Sequence, residues 1–171
     1  LDKNVSNFAL ENSLSGFEFL SCIPGTVGGA VRMNSGCYGK DISKILVSVQ
    51  VMNLNGQLKV VYSSDIKFGY RENDLDKDLI FLSASFKGEF KEKRKIQEYM
   101  KVIKDKKDYT QPTKIKTGGS TFKNPIKQTN QKVWELIKKS VPLDTKFGDA
   151  EISKKHCNFF VNNNNATFED M

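Results

Sequence analysis

The sequence has one histidine, three arginines and three cysteines in 171 residues. A single imidazole, His156, excludes a histidine-rich metal site. No set of four ligands stands at zinc spacing either, so no metal is expected. Cys22, Cys37 and Cys157 lie far apart without a C-x-x-C pair, and an odd count fits reduced thiols better than a disulfide framework. His156 and Cys157 are adjacent, but neighbours on a strand point to opposite faces, so adjacency alone makes no catalytic dyad. No apolar run approaches the roughly 20 residues of a membrane-spanning helix, and no secretory signal opens the chain. A membrane partner is therefore not expected. The chain begins at Leu1, not Met, which raises the reading that it is a piece of something longer.

What is abundant is lysine. There are 27 basic residues against 20 acidic ones, a net charge of +7, and all but three of the basic residues are lysines. Between Lys87 and Lys116, eleven basic residues meet five acidic ones, so six of the seven net charges fall in this one segment. Arginine is the usual residue for bidentate recognition of phosphate and guanine, so a lysine-dominated excess argues against specific nucleic-acid readout. A solvated, lysine-rich helix accounts for it more simply, and no nucleic-acid partner is expected. With 38% apolar and 27% charged residues, the composition is that of one or two folded domains.

Ile45, Val47, Val49 and Val51 alternate and predict a strand with these side chains on one face. Asn55-Gly56 is a strong hairpin signal, and Leu58, Val60 and Tyr62 resume the alternation. Leu79 to Phe86 reads as a further strand, apolar enough at its start to be buried. From Glu89 to Asp108, Ile96, Tyr99, Met100 and Ile103 fall at helical spacing among Lys and Glu, predicting an amphipathic helix that ends before Pro112. Thr117 to Ser120 reads as a flexible, glycine-rich approach to Phe122-Lys-Asn-Pro125. A short helix is predicted over Gln131–Lys139 with Val133, Trp134 and Ile137 on one side. Asn158 to Val161 reads as a strand, and Asn162 to Asn165 as a polar turn. The fold class is α+β, organised as 1–88, a connecting helix at 89–109, and 110–171.

Ile23-Pro-Gly-Thr-Val-Gly-Gly-Ala-Val31 is the most informative stretch of the first half, with Asn34, Gly36 and Gly39 close behind. It is not a P-loop, since no Gly-Lys-Ser/Thr follows, and it fails the G-x-G-x-x-G fingerprint at the second glycine. Spacing alone leaves two readings open: a tight structural turn, or a cradle of backbone N–H groups for a phosphate.

The run CIPGTVGGAVRMNSGCYG closely resembles the glycine motif of the UDP-N-acetylenolpyruvoylglucosamine reductase (MurB) family. The resemblance continues through Phe68-Gly-Tyr-Arg71, Leu79 to Phe86, Gln111-Pro112, Gly119-Ser-Thr-Phe-Lys-Asn-Pro125, Val133-Trp-Glu-Leu-Ile137 and Ile152 to Asn162. It covers essentially the whole chain in the right order. It implies the second lobe of a vanillyl-alcohol-oxidase-type FAD-binding domain, followed by an α+β substrate-binding domain. It further implies a bacterial, cytoplasmic enzyme that uses FAD and NADPH to reduce UDP-N-acetylglucosamine enolpyruvate to UDP-N-acetylmuramate for peptidoglycan. The implied cofactor-binding residues are Ile23, Pro24, Gly25, Thr26, Val27, Gly28, Gly29, Ala30, Asn34 and Gly36. Arg71 falls on the family's intermediate-stabilising arginine and Ser120 on its proton donor. Tyr70, Lys123 and Asn124 fall at substrate-side positions, although a turn before Pro125 explains Lys123 and Asn124 equally well.

Several departures from the family pattern stand out. Cys22 replaces the glycine usual before Ile-Pro-Gly, which points to crowding on the flavin side of the loop. Asn73 stands where serine is usual after the arginine, and Ser140–Lys146 lacks the family's small glycine-containing loop. The resemblance places a first flavin-binding lobe before Leu1 and a catalytic glutamate after Met171. Glu169 reads as part of a helix start and is assigned no role. The competing reading is a non-catalytic anion- or partner-binding module built on the glycine loop and the lysine-rich helix. Oligomeric state is not legible.

Overall fold

The computed structural model describes residues 1–113 and 115–171. They form two compact units, Leu1–Asp105 and Lys106–Met171.

The first unit opens with α1 (Asp2–Glu11), β1 (Leu14–Ser15), a 3-10 turn (Glu18–Cys22) and α2 (Val27–Arg32). Next come β2 (Gly36–Cys37), β3 (Lys40–Asp41), β4 (Leu46–Met52) and β5 (Leu58–Tyr62). The unit continues with β6 (Phe68–Gly69), β7 (Glu72–Asn73), β8 (Ile80–Phe86), β9 (Glu89–Phe90) and α3 (Lys93–Thr110), within which the division between units falls. Its largest sheet is antiparallel in the order β5-β4-β8, and the core gathers Phe19, Leu20, Val31, Ile42, Leu46, Val49 and Val51.

The alternation of β4 and β5 is real, but one of its assignments differs from expectation. Val47 is exposed, because Leu46 pairs with Phe86 and Ser48 with Ser85, which leaves Val47 as the extra residue of a bulge. Leu58, Val60 and Tyr62 pair with Met52, Gln50 and Ser48, the outer side of β4, so all three are exposed. Val61, opposite Val49, is the β5 residue that enters the core. Ile80 at the start of β8 also faces Met52 and is exposed, not buried. The Asn55-Gly56 hairpin forms as predicted, with Asn53 Oδ1 accepting from the N–H groups of Asn55 and Gln57.

The lysine-rich helix starts later than its periodicity indicated. Glu89 and Phe90 form β9, paired with Ser15 and Leu14, and α3 begins at Lys93. Ile96 and Ile103 are buried and Met100 is half-buried, whereas Tyr99 is exposed. Two ion pairs brace its exposed start, Arg94–Glu98 and Lys95–Glu92. None of the described helices is long and apolar enough to cross a membrane.

The second unit contains β10 (Lys116–Ser120), α4 (Val133–Ser140), β11 (Lys146–Phe147), β12 (Ala150–Ile152) and β13 (Phe159–Asn162). Its sheet is antiparallel in the order β10-β13-β12-β11. Ala150, Ile152, Cys157, Phe159 and Val161 are its buried apolar residues; Ala150 and Ile152 stand opposite Asn162 and Phe160, so the sheet buries side chains on both faces. Thr117–Ser120, expected as a flexible approach, lies within strand β10. α4 begins two residues later than predicted, where Asn124 Oδ1 accepts from Val133 N and Glu135 accepts from Lys132 N. Trp134, predicted on its apolar side, is exposed at 40%.

Two asparagines bind α2 to the β6–β7 hairpin. Asn34 Nδ2 donates to Gly69 O at 3.1 Å while its Oδ1 accepts from Ser43 N. Asn73 Nδ2 donates to Val31 O at 2.8 Å and Arg32 O at 3.0 Å, and its Oδ1 accepts from Leu75 N. Asn73 thus supplies the Arg32 carbonyl at the end of α2 with a donor and gives Val31 O a second one beside Asn34 N.

A less comfortable feature lies in α1, beside the turn that precedes α2. The buried side of α1 is Asp2, Ser6 and Ala9, so it has no hydropathy signature. Both carboxylate oxygens of Asp2 and the Ser6 hydroxyl are buried without a hydrogen-bond partner among the described residues. Asp2 N donates to Gly25 O, and a Cβ on Gly25 would come within 3.1 Å of Asp2 Oδ2. Burial pushes the Asp2 carboxyl above its ordinary 3.8, with the N-terminal ammonium acting in the opposite direction.

Replacing Asn73 by Ala should cost about 1–3 kcal/mol, because it strands the Arg32 carbonyl and the Leu75 N–H and removes one of the two donors to Val31 O. Urea denaturation of the first-unit transition measures this, and an unchanged midpoint would refute the role. For Asp2, a raised folded-state pKa means its contribution is complete below 3.8 and is lost as pH rises through the folded value. Asp2→Asn and the parent should therefore have similar urea midpoints at acid pH, with the variant more stable near neutrality. A midpoint difference that does not vary with pH would contradict this.

Candidate functional site

In the first unit, the predicted cofactor residues run from a turn into α2. Thr26 is extended at the N-cap, and its Oγ1 accepts from Gly29 N at 3.3 Å. The N–H groups of Val27 and Gly28 are in the first helical turn, where no helical carbonyl reaches them. Pro24, Thr26, Gly29 and Gly36 are exposed, and Ile23, Gly25, Val27, Gly28 and Asn34 are half-buried. Ala30 is buried in the core, so it offers almost no surface to a ligand here. The glycines also have packing reasons. A Cβ on Gly28 would touch Phe81 Cβ at 3.4 Å, and one on Gly36 would lie 2.3 Å from Lys40 O. Both readings left open by spacing are thus present in one stretch: a tight packed turn, and N–H groups at a helix start beyond the reach of helical carbonyls. Cys22 is buried, so its thiol is not on the exposed side of this loop.

Tyr70 and Arg71 form the two-residue turn between β6 and β7, where Phe68 pairs with Asn73 and Gly69 with Glu72. Arg71 holds a φ of +54°, a left-handed conformation that costs about 1 kcal/mol for a residue with a Cβ. Its guanidinium lies 5.8 Å from the centroid of the exposed Tyr70 ring. The asparagine ties hold the hairpin from both sides, Asn34 at Gly69 and Asn73 at the α2 end. The glycine stretch and Arg71 are therefore one connected assembly. Arg32, by contrast, serves structure: its guanidinium donates to Leu75 O and Asp76 O and lies 5.0 Å from the Phe81 ring centroid.

In the second unit, the β10–β13 ladder shifts register between Thr117 and Ser120, and Gly119 takes a φ of +91°. This glycine bulge sets the position of Ser120 at the strand end. Asn158, 2% exposed, is its anchor: Nδ2 donates to Ser120 Oγ at 2.9 Å and to Phe122 O at 3.0 Å. Asn158 Oδ1 accepts from Phe122 N, and its backbone carbonyl from Thr121 N. Asn158 was missed by sequence reasoning, which read it only as the first residue of a strand. Its visible signal was an amide side chain beside a run of apolar strand residues.

Lys123 is exposed on the same loop, and Asn124 uses its carbonyl oxygen to cap α4. The turn reading of Asn124 thus has a hydrogen bond behind it. His156 and Cys157 lie in the turn before β13. His156 Nδ1 accepts from Asn158 N, and Cys157 Sγ donates to Trp134 O. Burial lowers the His156 pKa from its ordinary 6.5. Among the described residues, no group of three or more His, Cys, Asp and Glu could hold a metal ion. Glu169 lies in a turn closed reciprocally by Thr167 N to Asp170 Oδ2 and Asp170 N to Thr167 Oγ1, the pattern of a helix start.

Comparison with known proteins adds identity to this geometry. Residues 3–62 match an FAD binding domain, and residues 111–171 match the C-terminal domain of UDP-N-acetylenolpyruvoylglucosamine reductase. The chain is 61% identical, over all 171 residues, to the UDP-N-acetylenolpyruvoylglucosamine reductase of Pelagibacter ubique, and 43% identical to that of Rickettsia typhi. It spans 57% of the length of each of these relatives. The crystal structure of the reductase from Thermus caldophilus superposes with a TM-score of 0.87 at 32% identity, over 99% of this chain and 62% of that one. The chain thus carries a match to an FAD binding domain followed by one to the C-terminal domain of UDP-N-acetylenolpyruvoylglucosamine reductase, and along its entire length it is similar to reductases of that name.

Proposed function

We propose that this chain supplies part of an NADPH-dependent flavoenzyme that reduces UDP-N-acetylglucosamine enolpyruvate to UDP-N-acetylmuramate, a cytoplasmic step of bacterial peptidoglycan synthesis. In this reading, residues 1–88 are the second lobe of the FAD-binding domain, 89–109 a connection made of β9 and most of α3, and 110–171 the substrate domain. The observation that carries it is the 61% identity, along the entire chain, to a protein of that name.

The residues present fit a flavin dinucleotide. Backbone at Pro24–Gly29 and Asn34–Gly36 is open where side chains are absent or small, and the N–H groups of Val27 and Gly28 suit a diphosphate. Bound FAD would supply the hydride that NADPH first delivers to it. The chain's own residues provide the rest. Reducing an enol ether beside a carboxylate requires a cation for the charge that develops on the enolpyruvyl group, and a proton for the adjacent carbon. Arg71 suits the cationic role, because its charge is permanent and a strained turn braced by two asparagines fixes its backbone. Ser120 suits the proton-donor role. With Asn158 Nδ2 donating to one lone pair of Ser120 Oγ, the hydroxyl is oriented to act as donor in another direction. Lys123 and Tyr70, both exposed, are substrate-binding residues in this reading, with Asn124 shaping the loop between Ser120 and α4.

The test uses a polypeptide of the relatives' full length that contains this chain. It should purify yellow and oxidise NADPH in the presence of the enolpyruvyl sugar nucleotide. Lack of both a flavin spectrum and turnover would overturn the proposal. Ser120→Ala should leave flavin reduction by NADPH intact and slow reoxidation by the sugar nucleotide by about 100-fold or more. Stopped-flow absorbance separates the two half-reactions, and equal slowing of both would remove Ser120 from the proton-donor role.

A further inference from the structure

A cavity of about 520 Å³ in the first unit has no part in the chemistry above. Its walls include Lys40 and Lys44 from around β3, Lys87 and Lys91 from either side of β9, and Tyr99 of α3. None of the four lysines makes an ion pair or a side-chain hydrogen bond among the described residues. The cations at the start of α3 behave differently, since Arg94 and Lys95 each have a carboxylate partner.

Two acids share the cavity wall, Glu18 and Glu89. Glu18 is already engaged: it is 5% exposed and accepts from Ser15 Oγ at 2.7 Å and Gly16 N at 2.8 Å. The lining therefore carries an excess of positive charge. A concave wall concentrates the field of that charge more than a convex helix face does. The base of the cavity is rigid backbone. A Cβ on Gly88 would fall 2.5 Å from Phe17 Cε2 and 2.8 Å from Ser15 O, and Gly16 holds a φ of +108°. Both glycines are dictated by the packing of β1 and β9, and neither places a side chain in the cavity.

We propose that this cavity is a binding site for an organic di- or triphosphate of nucleotide size, separate from the glycine stretch at α2. Ammonium groups act as point charges for phosphate oxygens, and four of them from two distant stretches suit a ligand bearing several charges. The volume falls within the range of small-molecule sites, and the exposed Tyr99 ring offers a face for a base.

The experiment is isothermal titration of the full chain at low ionic strength, where screening is weak, with ATP and with inorganic pyrophosphate as separate probes. ATP should bind saturably at one site. The double variant Lys44→Gln/Lys87→Gln should weaken binding by about tenfold or more. The control Lys101→Gln/Lys104→Gln removes the same charge from α3 outside the cavity and should change affinity by less than about twofold. ATP binding more tightly than pyrophosphate supports an organic ligand. Pyrophosphate binding as tightly overturns that part of the assignment and leaves a site for the diphosphate alone. Equal weakening by both double variants, unchanged binding by the cavity variant, or no saturable binding of either probe overturns the site itself. None of these outcomes depends on whether the longer protein is a reductase.

Discussion

The first unit's functional geometry depends on the asparagine ties between α2 and the β6–β7 hairpin. α2 is only six residues long, and the hairpin strands have two residues each. Neither would persist alone, since a short helix lacks cooperative length and a two-stranded ribbon is marginal in water. Asn34 and Asn73 join them through their side-chain amides, each using both its donor and its acceptor. The glycine stretch and Arg71 consequently act as one body. Asn73 also makes sense of a departure from the family pattern. Where serine is usual, the longer amide reaches two carbonyls at the end of α2, which a hydroxyl with a single proton cannot do.

The glycine stretch illustrates how packing and binding are satisfied by the same residues. Gly25 accommodates the Asp2 carboxyl, Gly28 the Phe81 side chain and Gly36 the backbone of Lys40. Those constraints on one side of the chain leave the opposite side without side chains. A surface bare enough for a diphosphate is then a by-product of close packing beneath it. A structural turn and a phosphate cradle, which spacing could not separate, make demands on different faces of the same backbone and so do not exclude each other.

The strands, the lysine-rich helix and the Asn-Gly hairpin were legible because each rests on local periodicity or turn chemistry. The misassigned residues show where that information ends. Val47 alternates correctly in sequence, but a bulge set by its partner strand turns it outward. Leu58, Val60 and Tyr62 have the pattern of a core face, and only the register against β4 reveals that Val61 is the buried one. α1 went unread because its inner side is Asp2, Ser6 and Ala9, where periodicity requires larger apolar residues. At the candidate site, Arg71 and Ser120 were accessible through resemblance, while Asn158 was not. Its importance comes from bonds to residues 36 and 38 positions away, a distance at which sequence patterns carry no signal.

The two units reach the same solution to one physical problem. A residue offered for chemistry on a turn needs more precise placement than the turn itself provides. Arg71 is on a two-residue turn at positive φ, and Ser120 is at a bulge whose preceding glycine is also at positive φ. In each case the strain is stabilised by an asparagine from another part of the unit that binds backbone beside the position. An amide suits this role because it carries donor and acceptor on one rigid plane without a charge to desolvate. Lysine or aspartate in its place would bring a buried charge, and serine would bring too short a reach. The placement of both positions therefore depends on neutral amide side chains, which bind backbone at the Arg71 turn and both backbone and the Ser120 hydroxyl at the bulge.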